Sequence, residues 1–194
     1  DGPANRINTN RLKIALIPCL FKLMTLQITK ANTDLGRNSC LSVYFAFENN
    51  AVMVRFRLET EINKPLEDVT RLFSNRDLLP KWQPGLLSSE QIESYPYPKY
   101  KLLLSFGQRK MVMMETILRN ELPDHFEGTY EMKGVFNRNV NRFESSGPQK
   151  TRWVCESEFR FSGLMKLIAF FMRSGFKEQS RVIMDNFKKY AEKN

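Results

Sequence analysis

Residues 151–190, TRWVCESEFRFSGLMKLIAFFMRSGFKEQSRVIMDNFKKY, contain the change of period that decides the fold. Up to Phe161 the chain alternates. Trp153, Cys155, Ser157, Phe159 and Phe161 fall on one face of a strand, and Arg152, Glu156, Glu158 and Arg160 fall on the other. Ser162-Gly163 ends that pattern. From Leu164 to Tyr190 the apolar residues, among them Leu164, Leu167, Phe171, Phe176, Ile183 and Phe187, gather on one side at about 100° per residue, which predicts one long helix with an apolar stripe. A strand with one aromatic face that runs into such a helix predicts a helix packed on a sheet.

Upstream, the same reading extends the sheet. Short alternating or apolar runs at Ser89–Ser94, Tyr100–Phe106, Met111–Leu122, Phe126–Met132 and Phe136–Ser145 are separated by turn residues, including Tyr95–Pro98, Pro123-Asp124 and Ser146–Pro148. With Thr151–Phe161 they make six consecutive antiparallel strands. Val54–Ile62 alternates over its whole length and is an earlier, seventh strand. Between it and the meander, Pro65 with Glu67 and Asp68 opens a helix carrying Val69, Leu72 and Phe73, and the proline-broken run Asp77–Leu87 holds only a short helix or turn with Trp82. The expected class is α+β: a seven-stranded antiparallel sheet, two short helices after its first strand, and a long C-terminal helix.

Composition narrows the function classes. The chain has 194 residues with 42% hydrophobic and 12% aromatic content, enough for a sizeable core and far from a disordered composition. Thirty basic against twenty-one acidic residues give a formal charge of +9. The three cysteines, Cys19, Cys40 and Cys155, have neither a disulfide-framework nor a zinc-site spacing and point to a reducing, cytoplasmic setting. One histidine, His125, in an expected turn, leaves little for metal or triad chemistry. No Walker, Rossmann, HExxH or GxSxG motif is present. Neither a cofactor nor a metal is expected.

The order of elements from Met53 onward resembles the helix-grip fold of the SRPBCC superfamily, which includes START lipid-transfer domains, birch-pollen-allergen-like proteins and a polyketide cyclase/dehydrase branch. The residues that carry the resemblance are the strand 53–62, the helix Pro65–Phe73, Trp82-Gln-Pro-Gly85, Trp153 with Glu158–Gly163, and the helix ending Asp185–Tyr190. The resemblance implies a curved sheet gripping the long helix, with an apolar cavity between them for a lipid-, sterol- or polyketide-like molecule. It implies no particular reaction, since the superfamily mixes carriers and enzymes.

On this reading Trp82, Tyr130, Met132, Trp153 and Phe171 are the candidate ligand-binding residues, with Trp82 at the mouth; ordinary core packing is the competing role for each. Gly128 removes a side chain where the sheet bends or a ligand approaches. Met111–Met114 form an adaptable pocket wall or gap filling. Cys155 reads as a small buried hydrophobe, and Glu59/Glu61 and Glu156/Glu158 as outward, solvated carboxylates. No catalytic residue is assigned. Carriage of a hydrophobic small molecule is expected ahead of a cyclase or dehydratase reaction using an inward polar group such as Tyr130. A third reading is an interaction module built on the basic helix face of Lys166, Arg173, Lys177, Arg181 and Lys188. That stripe supports weak contact with an anionic membrane surface, while no nucleic-acid partner is expected because aromatic stacking platforms are lacking beside it. Nothing in the pattern speaks to oligomeric state.

Residues 1–52 stand apart. They hold six basic and three acidic residues and have no counterpart in the resemblance. The expectation is that Met53 is the natural start and that 1–52 is upstream or tag-like sequence outside the domain 53–194. The competing reading is a targeting peptide, since Arg6, Arg11 and Lys13 precede the apolar run Ile14–Phe21, although Lys22 interrupts it.

Overall fold

The computed structural model describes the backbone of residues 44–48, 51–106, 108–171 and 173–194. All of these lie in one unit, Ser39–Asn194. Of the segment 1–52 expected to stand outside the domain, residues 1–43, and with them the targeting reading, lie outside the described residues.

The strand period is realised as an antiparallel sheet with order β1-β2-β8-β7-β6-β5-β4-β3. Its strands are β1 Tyr44–Glu48, β2 Ala51–Ile62, β3 Leu86–Glu93, β4 Lys99–Phe106, β5 Arg109–Glu121, β6 His125–Met132, β7 Val135–Gly147 and β8 Lys150–Phe161. The seven expected strands are all present. Two differences occur at the start. The strand expected from Val54 begins at Ala51, and β1 pairs along it in the register Tyr44↔Arg55 to Glu48↔Ala51.

The first and last strands of the expected set lie side by side, Val54 opposite Phe159 and Leu58 opposite Cys155. Directly opposed residues share a face, so the apolar set of β2 and that of β8 form one surface. The helices lie on it. Phe176 meets Phe159 at 5.3 Å and Phe161 at 4.7 Å, and Phe187 meets Trp153 at 5.3 Å between ring centroids. This helix-bearing side is the inner face.

Helix α1, Leu66–Ser74, starts after Pro65, has Glu67 and Asp68 in its first turn, and buries Val69 and Leu72. Asn75 then breaks the helix, and its side chain accepts the Asp77 backbone N–H at 3.0 Å, capping a 3-10 turn over Arg76–Leu78. A four-residue helix α2, Leu79–Trp82, follows. Gly85 closes this connection at φ +77°, where a Cβ would meet the Ser105 carbonyl oxygen at 2.6 Å. Only glycine lets the chain pass so close to β4.

The expected helix from Leu164 to Tyr190 is described as α3, Met165–Phe171, and α4, Arg173–Lys193, on either side of Met172. One part of its expected apolar stripe is corrected. Leu164 and Leu167 are 51% and 62% exposed: Leu164 precedes the first helical turn, and among the described side chains of α3 the buried one is Ala169. Further along, Phe187, Met184 and Ala191 are buried as the period requires.

The core falls into two apolar clusters. The larger joins β2, α1, β7, β8 and the C-terminal helix around Phe73, whose ring lies 4.9 Å from Phe143, 5.4 Å from Phe187 and 5.5 Å from Trp153. The smaller consists of Leu86, Leu102 and Leu104 on β3 and β4, with Tyr100, Met113 and Tyr130 packed against it.

Candidate functional site

Following the pairing register across the inner face gives one row: Phe159 on β8, Asn137 on β7, Tyr130 on β6, Glu115 on β5 and Tyr100 on β4. The row begins apolar and becomes polar. Glu115 and Asn137 are each only 5% exposed. The next row towards α3 is apolar, with Phe161 opposite Val135 and Met132 opposite Val135. The row on the other side is mixed, with Ser157 opposite Asn139 and Asn139 opposite Gly128.

Glu115 is the one buried carboxylate among the described residues. Its salt-bridge partner is Arg76, which reaches over from the 3-10 turn with Nη2 2.5 Å from Oε2. The same Arg76 nitrogen donates to Ser89 Oγ at 2.7 Å, and the guanidinium carbon lies 3.4 Å from the Tyr100 ring centroid. One arginine therefore fastens α1–α2 to β3, β4 and β5. A buried carboxylate needs such a charged, hydrogen-bonding partner to remain in the interior.

Tyr130 is half-buried, with its hydroxyl end enclosed. That burial first, and the Glu115 carboxylate with which it hydrogen-bonds second, hold the phenol well above its ordinary value. Tyr130 therefore stays protonated and donates. Its ring leans back along β6 over Gly128, where a Cβ would lie 3.6 Å from the Tyr130 oxygen. What approaches Gly128 is thus the tyrosine two residues on, in ordinary van der Waals contact.

Two amide atoms on the same face are buried without a partner: Asn137 Nδ2 and Asn139 Oδ1. The third amide of that strand is satisfied, since Trp153 Nε1 donates to Asn141 Oδ1 at 3.0 Å. Cys155 lies beside Ser157, Sγ to Oγ 3.7 Å, and burial pushes its thiol up to about 11. A thiol held neutral in this way is a packing residue, not a nucleophile.

The structure separates four of the five residues picked from sequence. Tyr130 and Met132 lie on the inner face at the polar row and beside it. Trp153 is in the aromatic cluster, its indole N–H held by Asn141 rather than available to a ligand. Trp82 is buried against Phe73 and Phe187, at centroid distances of 6.0 and 5.0 Å. Its other side lines an outward cleft of about 450 Å³ with Lys81, Gln83, Lys189, Tyr190 and Lys193. The Phe171 side chain lies outside the described residues.

The remaining sequence candidates sit away from this face. His125 opens β6 with Nε2 3.0 Å from Glu127, so it does have a carboxylate partner, on the outer side of the sheet. Glu59 pairs with Arg152 at 2.7 Å and Glu156 with Arg142 at 3.0 Å. In the basic stripe, Arg181 stands 4.0 Å from Glu178 and Lys188 3.9 Å from Glu192; the Arg173 side chain lies outside the described residues. Among the described residues there is no group of three potential ligands placed to hold a metal, and no helix long and apolar enough to cross a membrane.

A family model described as "Polyketide cyclase / dehydrase and lipid transport" matches residues 53–192. No curated protein matches the sequence. Similar solved structures include the Zhui aromatase/cyclase of Streptomyces sp. R1128, at 10% identity and a TM-score of 0.62, covering 72% of this chain and 94% of that one. A START superfamily protein of Mycobacterium smegmatis gives 11% identity and a TM-score of 0.61, covering 72% and 97%. Norcoclaurine synthase of Thalictrum flavum, in complex with dopamine and hydroxybenzaldehyde, gives 14% and 0.56, covering 73% and 87%. At these identities the likeness is one of fold, the helix-grip arrangement.

Proposed function

The chain belongs to the polyketide cyclase/dehydrase and lipid transport family, and from that premise we propose that it binds a hydrophobic small molecule between the inner face of the sheet and the C-terminal helix. The apolar body of the ligand lies against Met113, Met132 and Leu102, and its polar end turns towards Tyr130 and Asn137. The observation that carries this reading is the row of buried, partly unsatisfied polar side chains beside two separate apolar clusters. A tightly filled core gains nothing from an orphaned amide, which costs about 1–3 kcal/mol. Each methylene of ligand taken out of water contributes about 0.8 kcal/mol, and the polar row fixes orientation. The free, buried Cys155 goes with a reducing, cytoplasmic setting.

The test is gentle purification followed by native mass spectrometry and titration with a neutral environment-sensitive dye. Bound small molecule, or saturable dye uptake displaced by lipid or polyketide panels, is expected. A protein that carries nothing and takes up nothing contradicts the proposal.

A second reading, a cyclase- or dehydratase-type reaction, has its own supporting observation: Tyr130, Glu115 and Arg76 converge. A phenol kept protonated can donate to a carbonyl oxygen as enolate charge builds there, and a neighbouring carboxylate can take the proton released from carbon. Two of the similar folds carry enzyme names, an aromatase/cyclase and a synthase. Turnover of a poly-β-ketone analogue that Tyr130→Phe abolishes without loss of binding would support this reading. Turnover unchanged by that substitution would remove it.

A further inference from the structure

Resting on the ligand-binding reading above, we infer that the inner-face site selects a neutral oxygen-bearing head group, a carbonyl or a hydroxyl, over a carboxylate. The site already contains a carboxylate. Glu115 is 5% exposed, and its salt-bridge partner among the described residues is Arg76. Arg76 is further committed to Ser89 and to the Tyr100 ring. A second anion beside Glu115 repels it in a low-dielectric interior and must compete for a guanidinium already in use.

On the sheet's own side of the site the unused capacity is uncharged; the other buried polar atoms without a hydrogen-bond partner, Trp82 Nε1 and Arg181 Nε, belong to the helices. Asn137 Nδ2 is a buried donor without an acceptor, opposite both Tyr130 and Phe159 in the register. Asn139 Oδ1, two residues along on the same face, is a buried acceptor without a donor. A carbonyl oxygen matches the first and a hydroxyl the second. A neutral donor satisfied by a neutral acceptor requires no charge compensation, whereas an ionised head group placed there does. Such a site rejects a ligand lacking the matching group, because its own polar atoms are then left unpaired.

The test displaces the neutral dye N-phenyl-naphthylamine near neutral pH with three competitors of nearly equal size: ethylnaphthalene, methyl naphthyl ketone and naphthoate. The expected order puts the ketone first, with naphthoate needing about tenfold more. Glu115→Gln leaves Arg76 without its carboxylate and is expected to improve naphthoate relative to ethylnaphthalene by about tenfold. Asn137→Leu is expected to remove the advantage of the ketone over ethylnaphthalene. If Glu115→Gln fails to fold by circular dichroism, the Asn137→Leu comparison carries the test alone. Naphthoate binding as tightly as the ketone to the unaltered protein, or the ketone keeping its advantage in Asn137→Leu, overturns the inference. A dye that never binds overturns the ligand-binding reading beneath it, a separately recognisable result.

Discussion

On the outer face of β2, β6, β7 and β8, carboxylates and guanidiniums satisfy one another; the inner face of β5 holds one carboxylate, tied to an arginine from outside the sheet. The outer pairs include Arg55–Glu158 at 2.8 Å, Arg138–Glu127 at 2.7 Å and Arg152–Glu59 at 2.7 Å. Water reaches the guanidinium of each, so these pairs add little to stability. Their service is solubility and register. The inner pair, Arg76–Glu115, is desolvated, and assembling such a pair costs nearly as much as it returns. A leucine at 115, opposite Tyr100 and diagonal to Leu102, would carry no such cost. Charge on the outer face therefore needs no functional explanation, and charge on the inner face does.

Substitutions that separate the two faces follow, beginning with the largest effect. Phe187→Ala, in the middle of the aromatic cluster, is expected to destabilise by about 4 kcal/mol, read by urea unfolding. Arg76→Ala leaves Glu115 buried and unpaired and is expected to cost about 3 kcal/mol; combining Arg76→Met with Glu115→Leu should recover most of that loss. A single change at Arg76 with no measurable cost would erase the distinction between faces. Asn141→Leu removes the acceptor of the Trp153 indole and is expected to cost about 2 kcal/mol, with a change in tryptophan emission.

Outer-face changes come last. Arg152→Gln is expected to move the urea midpoint less than any of these inner-face changes, and less still in high salt. The same face sets the acid response. Arg138, through its hydrogen bond, holds the Glu127 carboxyl below its ordinary value, and Arg152 does the same for Glu59. A carboxyl whose pKa is lower folded than unfolded contributes its full stability above the unfolded value, about 4.3, and loses it as pH falls towards the folded one. Thermal midpoints are expected to be flat from about pH 7 to 5 and to decline below about pH 4. A decline starting near neutrality would point away from these carboxylates.

The sheet and helices were legible because β2 and β8 alternate cleanly, and the register of those two strands alone defines the inner face. The polar row was not. In β7, Asn137, Asn139 and Asn141 alternate with Arg138, Val140 and Arg142, so both phases are largely polar and the period carries no contrast. Glu115 follows four apolar residues, Met111–Met114, that fill both phases, and an irregularity between Ile117 and Arg119 shifts the register beyond it. Arg76 lies in a connection whose path only the folded chain reveals. The one local signal was three asparagines at a spacing of two. Trp82 and Trp153, picked out as large aromatic residues, both have aromatic neighbours from within the chain; the indole N–H of Trp153 is held by Asn141, whereas that of Trp82 is buried without a partner.

The claim that a ligand lies on the inner face is tested most directly by methyl NMR of the protein with labelled methionines, titrated with a neutral naphthyl ketone. Met113 and Met132 lie on the inner face, while Met53 and Met114, opposite Arg160 and Glu131, lie on the outer. Shifts that saturate at Met113 and Met132 while Met53 and Met114 stay in place are the expected result. Saturation with the outer pair moving and the inner pair still would contradict it.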